Sequence, residues 1–284
     1  MTFKNVQKSI TYLSIIGLLL FVSCQSSDEN IEVAENFTTE EALNFVLADD
    51  ISAEVDDVLE DDAQDYNLSG KSTDSNTSIA AKCAVRTVEV TASGKIVTLD
   101  FGTGCEGRKG KELAGKIIIE YVRTTTGFSK TVSFENFTVE GNAVEGGKSI
   151  AKLTANANGN PEATFTFDIT ITLTTGEVII RKGTKVNEKI AGADTKNRGD
   201  DVYSISGNWE SVNKDGVVKN ALITVNLRRE YACKYIVSGV IEITKDTATF
   251  TLYFGDGTCD NLATLTDSSG AVREITLKKN KRKK

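Results

Sequence analysis

Two hydrophobic periods divide this chain. Over residues 38–66 the apolar side chains Leu43, Val46, Ile51, Val55, Val58 and Leu59 recur at steps of three and four, which predicts an amphipathic helix with one stripe against a partner. Thr38 or Thr39 can cap it, and Glu40 and Glu41 fall in its first turn, where the helix dipole favours acid. From Ala81 onward the period is two. Within residues 163–173, Phe165, Phe167, Ile169, Ile171 and Leu173 point one way and Thr164, Thr166, Asp168, Thr170 and Thr172 the other, as in an antiparallel strand with one buried face. The same alternation recurs in Val97, Leu99 and Phe101; in Val132 and Phe134; in Tyr203, Ile205 and Trp209; in Ile223, Val225 and Leu227; and in Phe250, Leu252 and Phe254.

Turn signals punctuate these runs at Ser93-Gly94, Gly141-Asn142, Gly159-Asn160-Pro161, Thr175-Gly176, Lys182-Gly183, Asp215-Gly216 and Ser269-Gly270. The pattern predicts an all-β antiparallel meander of about a dozen strands, a sandwich, curved sheet or incompletely closed barrel, preceded by one short acidic amphipathic helix. Residues 67–80, rich in Ser, Thr and Asn, read as a linker between that helix and a β-domain over 81–277.

Two stretches share one plan: cysteine, strand, turn, strand and a glycine-rich corner carrying a second cysteine. They are residues 83–105 and 233–259. A turn centred on Ser93-Gly94 places Cys83 one residue away from facing Cys105, and a turn centred on Asp246 places Cys233 opposite Cys259. Each hairpin is therefore expected to be closed by its own disulfide, worth roughly 3 kcal/mol on the chain-entropy account.

Charge changes the picture at both ends. Residues 25–65 carry 15 acidic and no basic side chains, residues 278–284 carry six basic ones, and residues 66–277 hold 25 of each sign. The helix thus has a strongly acidic face, Asp56, Asp57, Glu60, Asp61, Asp62 and Asp65. It lacks the glycine and alternating oxygen ligands of an EF-hand loop, so a solvated surface is expected. The basic tail, with no apolar residue, is expected to be a solvated end that can associate with anionic lipid. The 284 residues contain no histidine, which removes the commonest general base and zinc ligand.

At the N-terminus, Lys4 and Lys8 precede a 13-residue apolar run over residues 10–22, too short to span a bilayer, and Ser23-Cys24 follows at once. This resembles a bacterial lipoprotein signal peptide. The resemblance implies a signal over 1–23, lipidation of Cys24, a polar tether over 24–37 and attachment to the outer membrane, at its periplasmic face or the cell surface. Setting Cys24 aside leaves four cysteines, an even number suited to an oxidising compartment.

Chemical motifs are weak. Residues 102–107 satisfy G-x-G-x-x-G after a strand, but a charged loop and another strand follow where a dinucleotide site needs a helix N-terminus. Asp256 and Asp260, in the corner at 255–260, are too few for calcium. No cofactor, metal or nucleic-acid partner is expected. The corners Phe101-Gly102-Thr103-Gly104-Cys105, of the form FGxGC, and FGDGTCDN at 254–261 are similar to signatures of uncharacterised Bacteroidota outer-membrane lipoproteins. That resemblance implies fold and location and no activity.

Two functions follow as expectations. One is a non-catalytic, lipid-anchored β-module binding an envelope glycan or an outer-membrane protein partner. Tyr203, Trp209 and Tyr253, with Tyr121 and Tyr231, are its candidate stacking groups, although core or edge packing is the simpler account of each. The other is a glycan-directed hydrolase, which needs two carboxylates about 5 to 9.5 Å apart in a cleft; Asp168 and Glu210 are the candidates.

Overall fold

The computed structural model describes residues 37–68, 84–92, 94–107, 110–123, 127–195 and 197–277. One helix, α1 (Thr39–Leu68), precedes fourteen strands: β1 (Val85–Val90), β2 (Gly94–Asp100), β3 (Cys105–Glu106), β4 (Glu112–Arg123), β5 (Gly127–Val139), β6 (Asn142–Leu153), β7 (Glu162–Thr172), β8 (Val178–Ala191), β9 (Val202–Asn213), β10 (Val218–Glu230), β11 (Ile236–Lys245), β12 (Ala248–Asp256), β13 (Leu262–Thr266) and β14 (Val272–Thr276). A 3₁₀ turn, Arg198–Asp200, links β8 to β9.

Helix α1 starts where the chain supplies a reciprocal cap. The Glu41 N–H donates to Thr38 Oγ1 at 3.1 Å and the Thr38 N–H donates to the Glu41 carboxylate at 2.8 Å, satisfying two orphan donors at once. The helix runs two residues past the predicted end, into the first residues of the predicted linker, and its 30 residues span about 45 Å.

All strands join one antiparallel meander in which each pairs with its neighbours in sequence, except β3, which pairs with β4 alone. The order begins at β1 and ends at β14, so the sheet is not closed into a barrel. It curves around α1. Helix residues Ala42, Phe45, Ala48, Ile51, Val55, Val58 and Leu59 are buried, as are inner-face strand residues from Val97 and Leu99 in β2 to Ile275 in β14. Phe37, expected in the tether, is fully buried, its ring 5.1 Å from that of Phe250.

Several registers differ from expectation. Val85 faces Asp100 and Val90 faces Lys95, so each β1 residue meets a partner two positions earlier than a reversal at Ser93-Gly94 would give. In β11 and β12, Lys245 faces Ala248, making Asp246 and Thr247 the turn; Asp246 takes a positive φ of 52°. A bulge at Gly239, whose φ is 117°, then shifts the pairing so that Ser238 meets Asp256; a Cβ there would lie 2.7 Å from the Asn226 carbonyl. Lys182-Gly183, expected as a turn, lies inside β8. Val225, expected in the core, is 55% exposed, because irregularities on both sides of it in β10 turn it outward.

Candidate functional site

The helix packs into the sheet, and at Asp56, Asp57, Glu60 and Asp62 this overturns the expectation of a solvated acidic face; the side chains of Asp61 and Asp65 lie outside those described. Its carboxylates meet cations that the strands point inward. At the N-terminal end Glu41 pairs with Lys219 of β10 at 3.0 Å and with Lys245 of β11 at 3.3 Å. In the middle Asp49 pairs with Arg181 at 2.7 Å and with Lys185, both from β8, and Asp56 pairs with Lys148 of β6 at 2.7 Å. Glu54 meets Lys111 at 3.4 Å, and Asp57 meets Arg229 of β10. Towards the C-terminal end Glu60 pairs with Lys152 of β6 at 2.5 Å, while Asp62 pairs with Arg86 of β1 at 2.7 Å and accepts from the Tyr121 hydroxyl. Sheet cations also reach helix carbonyls: Lys148 donates to Ser52 O at 2.9 Å and Arg181 to Ala48 O at 3.1 Å.

The physical reason lies in the strand phase. A residue that alternates in step with buried neighbours points inward whatever its polarity. Lys219 is in phase with Ala221 and Ile223, Lys245 with Ile241 and Ile243, Lys148 with Ile150, and Arg181 with Ile179. An inward lysine without an anion would be costly, and the helix supplies the anions. That match is the signal sequence reasoning missed: cations in the apolar phase of several strands, beside an upstream segment with acids and no bases.

Electrostatics follow from this enclosure. Burial alone would raise the Asp49 carboxyl, but Lys185 and Arg181 outweigh it and hold Asp49 well below the usual carboxylate range. Glu60, likewise opposed by burial, is pulled down to about 2 by Lys152. Asp50 goes the other way. Burial, with some help from Asp49, pushes it up to about 6 against the pull of Lys111. Lys130, donating to Leu59 O at 2.5 Å, is brought down to about 7 by burial and by neighbouring Lys152.

At the centre sits Trp209 of β9. It is 2% exposed, stacked on Phe45 of the helix with ring centroids 5.7 Å apart, with the Arg181 guanidinium 5.0 Å and Lys185 Nζ 4.5 Å from its ring centre. Gly183 makes the room: a Cβ there would stand 2.4 Å from Asn208 O and from Trp209 Cβ. Two donors in this cluster, Trp209 Nε1 and Arg181 Nε, are buried and have no hydrogen-bond partner among the described residues. Beside it a void of about 10 Å³, roughly the room of one water, touches Asp49, Asp50, Phe45, Ile241, Phe254 and Leu277.

The candidate stacking groups therefore separate. Trp209 and Tyr121 are interior, Tyr203 is half-buried and donates to Asp201 at 3.2 Å, and Tyr231 is half-buried beneath Arg198. Tyr253 is exposed, at 43%, on the outer face. Asp168 and Glu210 also lie on the outer face, on β7 and β9, both opposite Lys182 of the intervening β8, to which Asp168 bonds at 3.1 Å. They flank a lysine on an open surface and share no cleft. The glycine-rich corner after β2 leads into β3 and β4, with no helix to receive a phosphate. Asp256 and Asp260 accept bonds from Thr258 and Leu262 in their own turns, and among the described residues no three acidic or cysteine side chains are grouped to hold a metal.

Cys233 and Cys259 form a disulfide, with Cα atoms 5.8 Å apart. Cys105 is disulfide-bonded too; Cys83 lies outside the described residues, as do the signal over 1–23, Cys24 and the tail 278–284. No helix among the described residues is long and apolar enough to cross a membrane. Compared with protein-family models, curated proteins and solved structures, the chain matches none.

Proposed function

We propose that the protein is a lipid-anchored outer-membrane lipoprotein that works without catalysis, as a binding module of the cell envelope. The anchor rests on the N-terminal pattern that ends at Cys24. The observation that carries binding is the inner face of the sheet: strands from β1 to β11 direct cations onto one amphipathic acidic element and hold it there. A platform for an envelope glycan or an outer-membrane protein partner on the outer face would have one exposed ring of the candidates, Tyr253, to stack with. The inner face, with Trp209 at its centre, is the better-equipped surface.

Labelled palmitate tests the anchor. The wild-type protein should take up label and fractionate with outer membranes, and Cys24→Ser should lose both. Label retained by Cys24→Ser would overturn the assignment.

A further inference from the structure

The ionic interior has a one-sided design. Among the described residues, every anion of the pairs between α1 and the β-domain is on the helix, and every cation is on a strand or, for Lys111, in the loop just before β4. Such pairs are a poor way to stabilise a core, since well-packed apolar residues in their place are commonly as stable or more so. They do give the inner face a fixed chemistry: with the helix absent, it would be an apolar floor studded with lysine and arginine. The helix adds no strand to the sheet, so its departure would break no rung of the ladder.

At the centre the helix presents one carboxylate, Asp49, to Arg181 and Lys185, and one apolar ring, Phe45, to Trp209. The fit leaves capacity unused. Trp209 Nε1 and Arg181 Nε, on side chains 2% and 1% exposed, have no acceptor among the described residues, although both belong to the groups that grip Asp49 and Phe45. Arg181 and Lys185 both pair with one oxygen of Asp49, Oδ1, so a free head group that turns a second oxygen towards Arg181 Nε and Trp209 Nε1 has four donor groups to meet there. The small void beside Asp49 is also lined by Ile241, Phe254 and Leu277, apolar side chains against which a chain attached to that head group would lie.

We propose that α1 is a stand-in ligand, displaced when the sheet takes up a single-chain anionic amphiphile. The head group, a carboxylate or a phosphate, replaces Asp49 on Arg181 and Lys185 and engages the idle donors of Arg181 and Trp209. The chain replaces Phe45 and the apolar stripe of the helix. This deepens the binding-module reading and rests on it, but it does not depend on the lipid anchor.

Trp209 is the sole tryptophan and reports the event directly. The full chain carrying Cys24→Ser is titrated, below micelle formation, with oleate and with lysophosphatidylglycerol, which separate a carboxylate source from a phosphate source, and with neutral dodecyl maltoside. Tryptophan emission, far-ultraviolet circular dichroism and protease cleavage within 39–68 are followed together. The expected result is a saturable emission change with one or both anionic probes, new cleavage in the helix, an intact β signal and no response to the maltoside. Phe45→Ala, which loosens the helix but leaves the sheet cations, should lower the half-saturating concentration about tenfold, and Lys185→Met should raise it by a similar factor. No emission change with either anionic probe, an equal response to the neutral one, or loss of the β signal in step with the emission would overturn the proposal. Palmitate labelling would be untouched by that failure.

Discussion

Gly183 and Trp209 show how closely single residues are fitted in this interior. The indole lies against a strand position that has no side chain, between a helix ring on one side and two cations on the other. Gly183→Ala should therefore destabilise by roughly 1–3 kcal/mol through overpacking, since the added methyl meets backbone at Asn208 rather than a yielding side-chain tip. Urea unfolding followed by circular dichroism measures it; an unchanged midpoint would show that β8 and β9 can separate without cost. From sequence, Lys182-Gly183 looks like a turn because glycine after a charged residue is a common reversal signal. What identifies it as a strand position is a tryptophan on the neighbouring strand, and pairing register is not written locally.

The helix was legible as an element and illegible as an environment. Its apolar positions, its Thr38 cap and its acidic first turn follow from periodicity and local hydrogen bonding. Its acidic face reads as solvated because carboxylates usually are, and the outcome was reversed by inward cations spread over strands far away in sequence. That reversal has a pH signature. Glu60 and Asp49 have carboxyls held below their ordinary values, as does half-exposed Glu41, so their stabilising contribution is present above about pH 4.5 and is lost as pH falls towards 2. Asp50, raised to about 6 from 3.8, acts oppositely and favours the folded state as pH drops through 6. Stability should thus hold or rise slightly from pH 7 to 5, then fall steeply below 4.5, with Glu60→Gln removing part of the acid limb. Thermal melts across pH 2–7 check this, and a profile flat to pH 3 would mean the pairs contribute nothing.

At the scale of the whole molecule, the alternation of apolar and polar residues was enough for an all-β meander, and the strands run in the order in which they occur along the chain. Alternation does not say what fills the concave side of a curved sheet. Two packed sheets, an empty barrel and a sheet around a helix all give each strand one buried face, and they differ in what covers it. Here the cover is α1, gripped near its start by Lys219 and Lys245 and farther along by Arg181, Lys148, Lys152 and Arg86. The hairpin plan at 233–259 held as a covalent link even though the pairing runs one residue off the expected register beside the turn and two beyond the bulge at Gly239, because both cysteines lie past the ends of the paired strands, where the chain can bring them together.

Hydrogen exchange along the unliganded chain tests most directly whether the sheet is folded around its own helix. Amides of residues 42–59 should exchange far more slowly than in the free 39–68 peptide and show protection of the same order as the central strands β7 to β9, since helix and sheet share one core. Exchange of those amides at the free-peptide rate, with the strands still protected, would contradict it.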